Sequence, residues 1–428
     1  MDKEYAVQMA SSNLRFGAGV TKEVGMDLTD MGIGRVLVFT DKNLKDRQPV
    51  QTVLESLESE KVEFELFDNV RVEPTDYSMK EAIDFATAGN YEAYIAVGGG
   101  STIDTAKVAN LYATYPDDFY TYINAPIGLG KPVPGPLKPL IAIPTTAGTG
   151  SETTGVAIMD LSERHAKSGI AHRYLKPILG LVDSENTKGM PAVIAASSGL
   201  DVLCHALESY TAIPFSDRSR PTRPIYRPAY QGSNPISDMW ALKAIELTTK
   251  YLVRAVKNPN DDEARSNMIL AASMAGMGFG NAGVHLCHGM SYPVSGMVRD
   301  YQPEGLNLSH PIVPHGMSVI LNAPAVFRFT GSACPERHLA VAQLMGADVS
   351  KVRDIKNEAG ELLARSIINL MKELDIPNGL SAIGYSEDDI PALAAGTLPQ
   401  HRVTKLSPRP VNAEDFKRMF SDAMVAWK

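Results

Sequence analysis

Up to residue 190 the apolar positions fall in short runs rich in β-branched side chains, at 35–40, 63–68, 93–97, 140–144 and 155–160. Between them lie stretches of helical period such as 50–60 and 78–87. Short apolar runs alternating with amphipathic helices have the spacing of βα units and predict a mainly parallel sheet. From Pro191 the pattern changes: 193–210, 238–256 and 261–277 are rich in Ala, Leu and Met at helical spacing, and alternating runs almost vanish. The pattern predicts an α/β domain over 1–190 and an all-α helical domain over 191–428. The boundary is set near Met190–Pro191, since a proline starts a helix well but cannot continue a strand ladder.

One connection breaks the pattern. Segment 214–235, PFSDRSRPTRPIYRPAYQGSNP, carries five prolines and four arginines. A loop of that length inside a compact domain is usually functional or disordered, and a solvated surface excursion is the plain alternative.

Composition narrows the partners. The 428 residues are 44% hydrophobic and 21% charged, with 41 Lys+Arg against 49 Asp+Glu and a net charge of −8. There is no overall positive field to hold nucleic acid or an anionic membrane. No apolar run reaches the roughly 18 to 20 residues of a bilayer helix. The start, MDKEYAVQMASSN, has neither a signal-peptide apolar region nor an Arg-rich presequence, so a cytoplasmic location is expected, with the mitochondrial matrix as alternative if a presequence was removed. Cys204, Cys287 and Cys334 are too few for a disulfide framework and read as buried free thiols.

Candidate chemistry begins at Gly98-Gly99-Gly100-Ser101, between the strand-like run 93–97 and the amphipathic stretch 102–113. A strand, a glycine turn and a helix start present backbone N–H groups at the positive end of a helix dipole, where a pyrophosphate can approach closely. A tight strand-to-helix turn is the bland alternative. The hydroxyl-rich PTTAGTGSETT at 144–154 also follows a strand and suits a loop that wraps a polar ligand. Asp41, after 35–40, is placed to accept from a ribose hydroxyl and repel a 2′-phosphate, favouring NAD. A literal G-x-G-x-x-G at Gly278, Gly280 and Gly283 follows a helical stretch rather than a strand, so close helix packing is the better account.

Asp201 and His205 are four apart and would share one helix face. His288 and His315 each precede a glycine in apolar surroundings. One carboxylate and three imidazoles suit Fe²⁺ or Zn²⁺, although an i,i+4 Asp/His pair alone is more often a surface interaction. His285 and Tyr292 flank His288 and could face the same cavity or simply pack, with Pro293 weakening helix continuity. His165, His172, His310, His338 and His401 lack a motif context and read as surface or structural.

Taken in order, GGGST at 98–102, PTTAGTGSE at 144–152, the Asp201/His205 pair, NAGVHLCHG at 281–289 and PHG at 314–316 resemble the iron-containing (group III) alcohol dehydrogenases over nearly the whole chain. Within that family SNLRFGAGVTKEVGMDL near the start, FDNVRVEPTD at 67–76, RPAYQGSNPISD at 227–238 and SPRP at 407–410 resemble the branch that exchanges hydride between hydroxy acids and oxo acids. The resemblance implies a Rossmann-like NAD-binding N-terminal domain and a helical C-terminal domain, with a metal in the cleft between them. By motif, Asp201, His205, His288 and His315 match its metal ligands. Gly99, Gly100, Ser101, Thr145, Thr146 and Thr154 match its cofactor-binding positions, and Lys167 a lysine near the cofactor. Tyr292 stands where many members carry another histidine near the nicotinamide, and the interval 290–314 is longer. Both departures weigh against a simple alcohol-dehydrogenase proton relay, and Tyr292 becomes the candidate catalytic residue.

The resemblance implies 4-hydroxybutyrate as hydride donor and 2-oxoglutarate as acceptor. Expected partners are these small acids and further copies of the same chain. Carboxylated substrates need fixed positive charge, for which Arg218, Arg220, Arg223, Arg227 and Arg299 are candidates. Three other readings stay open: an NAD-dependent alcohol dehydrogenase that releases NADH, a lyase of the dehydroquinate-synthase type, and a non-catalytic binder.

Overall fold

The computed structural model describes residues 2–162, 166–306 and 311–428. The chain divides into two compact units. One comprises 10–190 with 259–280, and the other 1–9, 191–258 and 281–428.

The first unit is built on β1 (Asn13–Phe16), β2 (Arg35–Phe39), β3 (Glu63–Phe67), β4 (Ala93–Gly98), β5 (Leu140–Pro144), the hairpin β6 (Val156–Leu161) and β7 (Ala166–Ala171), and β8 (Leu179–Val182). Six strands form one parallel sheet in the order β1-β8-β5-β4-β2-β3, while β6 and β7 pair antiparallel apart from it. Helices α1 (Val24–Asp30), α2 (Gln48–Ser59), α3 (Asp76–Ala88) and α4 (Gly100–Thr114) make the crossovers that parallel pairing requires. Side chains alternate along β2: Val36 and Val38 pack with Val24 and Leu28 of α1 and Val50, Val53 and Leu57 of α2. Leu37 and Phe39 meet Ala82 and Ala86 of α3 and Ile103, Ala106 and Ala109 of α4. Each fully buried Val, Leu or Phe contributes roughly 1.5–3 kcal/mol, and burial on both faces is why the strands read as unbroken apolar runs.

The five strand runs expected from sequence correspond to β2 through β6. β1, β7 and β8 carried no usable signal, being short or, like AKSGIA and LGLV, interrupted by glycine.

α5 (Ala192–Thr211), α6 (Pro235–Lys257) and α7 (Asp262–Ala282) lie where helical period was read. They are followed by α8 (Leu286–Gly296), α9 (His315–Ile320), α10 (Ala323–Thr330), α11 (Pro335–Leu344), α12 (Ile355–Glu373), α13 (Ile390–Thr397), α14 (His401–Thr404) and α15 (Ala413–Met424). α5 is buried at nearly every position from Ala195 to Thr211, so a polar side chain on it needs a partner inside the protein. Among the described residues no helix is long and apolar enough to cross a membrane.

Segment 214–235 is exposed over most of 214–228 and is also clamped from one side. The N-terminal residues run beside it, with the Glu4 N–H donating to the Arg218 carbonyl (2.8 Å), the Arg220 N–H to the Asp2 carbonyl (2.9 Å) and Lys3 paired with Asp217 (2.8 Å). Its arginines are largely engaged by these contacts. Arg227 donates twice to the Glu4 carboxylate (3.0 and 2.9 Å), Arg220 lies over the Tyr5 ring, and Arg218 donates to the Tyr230 carbonyl.

Candidate functional site

α5 carries Asp201, His205 and Glu208 at positions i, i+4 and i+7, so the three side chains share one face of a buried helix. α8 and α9 bring His288 and His315 to that face. The approach of α9 depends on Gly316, where a Cβ would collide with the Ser197 carbonyl. The Met317 N–H donates to Ser197 Oγ (3.0 Å) and locks the contact. Nε2 of His288 then lies 3.4 Å, and Nε2 of His315 3.8 Å, from Asp201 Oδ1. His205 Nδ1 is 3.8 Å from Asp201 Oδ2, and its ring stacks on that of His288 with centroids 4.5 Å apart. Asp201, His288 and His315 each offer one ligand atom within 4.8 Å of the others.

Asp201 Oδ1 and His288 Nε2 are buried and meet no hydrogen-bond partner among the described residues. Leaving such groups unsatisfied costs about 1–3 kcal/mol each, and more for a charge. A divalent cation would satisfy both, and a carboxylate with imidazoles is a donor set that suits one. Burial would raise the Asp201 carboxyl, but His205 and His315 outweigh it and hold the group well below the usual range. Burial pushes His205 down to about 3, leaving the neutral imidazole that can ligate.

Glu208 was not singled out from the sequence, although its i+7 spacing from Asp201 was the available signal. Its Oε2 meets His288 Nδ1, and its Oε1 accepts from the backbone N–H groups of His285 (3.0 Å) and Cys287 (2.7 Å). Both ring nitrogens of His285 are used at the start of α8: Nδ1 accepts from the Leu286 N–H (2.8 Å), and Nε2 lies 3.0 Å from Thr211 Oγ1. α8 continues through Pro293 to Gly296, so the weakening expected there does not interrupt it. The proline costs one backbone bond, while burial of every residue from Leu286 to Val294 holds the helix together. Tyr292 therefore stays one turn beyond His288, and its hydroxyl accepts from Arg402 Nη2 (2.9 Å).

In the sheet-bearing unit, β2 and β4 are neighbours, while α2 and α4 pack on opposite faces. Their carboxyl ends thus flank a topological switch point, the usual ligand crevice of an open α/β sheet. Asp41 follows β2 there. Its Oδ1 accepts from the Asn43 N–H (2.8 Å), and burial raises its pKa. The glycine turn follows β4, with Gly99 as the N-cap of α4 and no side chain on the first-turn N–H groups. The hydroxyl-rich loop lies against it: the Thr145 N–H donates to the Gly98 carbonyl (3.0 Å), and a Cβ at Gly99 would lie 3.3 Å from Thr146 Oγ1. At Gly100 a Cβ would lie 2.6 Å from Thr149 Cγ2.

Ser101 Oγ accepts from the Glu73 N–H (3.2 Å), and Lys167 pairs with Glu73 and, at 3.5 Å, with Asp160. Thr154 Oγ1 accepts from Lys107 Nζ (3.3 Å), a buried ammonium that also donates to Ser151 Oγ (2.6 Å) and the Val156 carbonyl (2.8 Å). This buried lysine was not foreseen, because Lys107 sits in a helix with no motif around it.

Of the G-x-G-x-x-G glycines, Gly280 packs toward Thr154, and Gly283, at φ +98° just beyond α7, faces Tyr230 and Leu406. His172 accepts from the Tyr174 N–H, His338 is buried and His401 is exposed, while His165 and His310 lie outside the described residues. Cys204 and Cys287 are buried free thiols and Cys334 is a half-buried one. Arg299 pairs with Asp389.

Two family models match the chain, "Iron-containing alcohol dehydrogenase" over 11–184 and "Fe-containing alcohol dehydrogenase family, C-terminal" over 229–424. The mitochondrial hydroxyacid-oxoacid transhydrogenase of Bos taurus is 59% identical over 423 residues, covering 98% of this chain and 90% of the bovine protein. The Homo sapiens protein of the same name is 58% identical with the same coverage. Among solved structures, the alcohol dehydrogenase of Oenococcus oeni superposes with a TM-score of 0.85 at 27% identity over 98% of this chain and 100% of that one. The sulfoacetaldehyde reductase of Bifidobacterium kashiwanohense, in complex with NAD⁺, gives 0.78 at 25% identity over 98% of each chain.

These names overturn the expected cytoplasmic location, because the relatives at 58–59% identity are mitochondrial. The expectation rests on a start without an Arg-rich presequence, and the free thiols indicate only a reducing compartment. The parallel sheet with its switch point, the helical unit with its Asp/His cluster and the matches over both place this chain in the iron-containing alcohol dehydrogenase family of oxidoreductases.

Proposed function

We propose that the chain is a hydroxyacid-oxoacid transhydrogenase. It oxidises 4-hydroxybutyrate to succinate semialdehyde and reduces 2-oxoglutarate to 2-hydroxyglutarate, with NAD(H) retained between the half-reactions. The reading is supported by 58–59% identity to proteins of that name over 98% of the chain. The structural observation that carries it is the convergence of Asp201, His288 and His315 within 4.8 Å in a buried setting.

Asp201, His205, His288 and His315 would hold one Fe²⁺ or Zn²⁺, since the donor types admit both. Such an ion, when bound, supplies Lewis acidity toward a hydroxyl or carbonyl oxygen, and NAD supplies the hydride acceptor. The chain's own groups set the conditions. Glu208 fixes the His288 ring and His205 is kept neutral. Gly99, Gly100 and Ser101 would present N–H groups to the pyrophosphate, with Thr145, Thr146, Thr154 and Lys167 around the cofactor and Asp41 on a ribose hydroxyl. Tyr292 would touch the substrate, because its hydroxyl accepts from Arg402 and keeps its own proton to donate. Across the two half-reactions the donor loses a hydride and a proton and the acceptor gains both.

The test supplies 4-hydroxybutyrate deuterated at C4 together with 2-oxoglutarate and no added NAD⁺. Mass spectrometry should find 2-hydroxyglutarate with deuterium at C2, and a chelator should abolish it. The family match favours one other reading, an alcohol dehydrogenase that releases NADH at each turnover. That reading predicts continuous NADH formation from an alcohol and free NAD⁺, without any oxo acid.

A further inference from the structure

The five arginines considered from sequence leave a carboxylated substrate without an obvious anchor. Arg227 and Arg299 are paired with Glu4 and Asp389, Arg218 donates to a backbone carbonyl, Arg220 stacks on Tyr5, and Arg223 is exposed on the clamped loop. A sixth arginine differs from all of them. Arg402 lies on α14, packed against α8 where Thr404 meets the bare backbone of Gly289. Its guanidinium carbon sits 5.0 Å from the centroid of the Tyr230 ring, and its Nη2 donates to the Tyr292 hydroxyl at 2.9 Å. Its Nη1 is buried and meets no hydrogen-bond partner among the described residues, and none of their carboxylates forms an ion pair with it.

A guanidinium always carries its charge, and leaving one of its buried donors unsatisfied is costly. The missing partner is an anion with acceptor oxygens, and the fork of Nη1 beside the free proton of Tyr292 presents two donors to it. Tyr292 follows His288 by one helical turn, about 5–6 Å between Cβ atoms, so this anion would bind a short way from the Asp/His cluster. The proposed substrates fit that spacing in the same manner. The carboxylate of 4-hydroxybutyrate and the distal carboxylate of 2-oxoglutarate are each three carbon–carbon bonds from the reacting carbon.

We infer that Arg402, stacked on Tyr230 and hydrogen-bonded to Tyr292, is the specificity-determining anchor for the distal carboxylate of both hydride donor and hydride acceptor. One anchor then explains how a single site alternates between two acids of different length. The inference rests on the transhydrogenase reading and adds to it the residue that selects the substrates.

Two measurements on the metal-loaded protein test it: calorimetric binding of succinate as a probe, and the kinetics of transhydrogenation. Arg402→Gln is expected to weaken succinate binding and raise the KM for 4-hydroxybutyrate and 2-oxoglutarate by about 100-fold, as befits loss of charge-assisted bonds. It should raise KM more than it lowers kcat, since the anchor holds the end of the substrate that does not react. Arg402→Lys keeps the charge without the fork, and an intermediate loss of about tenfold is expected. It carries the test if the glutamine variant does not fold. Unchanged succinate affinity and KM in a folded variant would overturn the anchor while leaving the transhydrogenase reading standing. A fall in kcat as large as the rise in KM, with succinate affinity kept, would overturn it too, by showing that Arg402 only positions Tyr292. Conversely, wild-type protein that fails to make 2-hydroxyglutarate but binds succinate through Arg402 would sink the reaction and keep the anion site.

Discussion

Glu208 braces His288 from behind, one carboxylate oxygen on the ring Nδ1 and the other on the backbone N–H groups of His285 and Cys287. With Nδ1 engaged there, Nε2 is the nitrogen aimed at Asp201, 3.4 Å from its Oδ1. An outer carboxylate of this kind fixes ring orientation and raises ligand basicity, and losing it typically costs 10–100-fold in metal affinity. Glu208→Gln keeps the shape and removes the charge, so metal affinity should fall by about that factor. Competition against a chelator, with metal content measured afterwards, reads this directly. An unaltered affinity would mean that helix packing alone orients the ring.

Metal binding should also stabilise the helical unit. An ion that binds the folded chain and not the unfolded one adds about 2.7 kcal/mol at one hundred times its dissociation constant. Thermal unfolding with Zn²⁺, or with Fe²⁺ under anaerobic conditions, should therefore shift upward, and Asp201→Asn should lose most of the increment. A shift of equal size in the variant would assign the ion to another site.

How much of this was legible beforehand depended on local signals. β2, β4 and β5 could be read because their side chains are covered on both faces and appear as apolar runs, and the edge strand β3, EFELF, because it alternates, whereas β8, LGLV, has only four residues and a central glycine. Asp201, His205, His288 and His315 stood out as polar residues in apolar surroundings. Glu208 stands in the same helix, but its partner is 80 residues away in sequence, and no periodicity announces a contact of that range. Arg402 was missed for a related reason: its neighbours Tyr230 and Tyr292 come from distant segments, and what distinguishes it is a donor left unmatched after folding. Of the arginines that did draw notice, Arg218, Arg220 and Arg227 of the proline-rich loop prove to be tied to residues 2–5, and Arg299 to Asp389.

The glycine turn and Asp41 make separable predictions for the nucleotide. A Cβ at Gly100 would lie 2.6 Å from Thr149 Cγ2, so Gly100→Ala must push the two loops apart and should weaken NAD⁺ binding by about tenfold or more through the lost close approach. Asp41→Ser removes the charge that would repel a 2′-phosphate and should narrow the preference for NAD⁺ over NADP⁺ without a comparable loss of NAD⁺ affinity. Fluorescence titration with both nucleotides checks the pair. If Gly100→Ala bound both as well as the parent, the turn would be structural only.

His338 gives the helical unit a pH dependence of its own, apart from Asp201, His205, His288 and His315. Its Nδ1 lies 3.0 Å from the Cys334 carbonyl, which can only accept, so Nδ1 carries the proton of the neutral ring, and Nε2 lies 2.9 Å from Thr330 Oγ1. Burial pushes the imidazole down to about 4 from an ordinary 6.5. Between these values the unfolded chain takes up a proton that the folded one refuses, so the unfolded state gains as pH falls. The stabilisation is complete above pH 6.5, declines as pH drops toward 4, and totals about 3 kcal/mol. Both tryptophans, Trp240 and Trp427, belong to the same unit as His338 and report its unfolding. Urea titrations followed by their fluorescence should show the parent losing about 2 kcal/mol more than His338→Gln between pH 7 and pH 5. Parallel losses in the two proteins would mean that the buried ring takes up its proton as readily as in the unfolded chain.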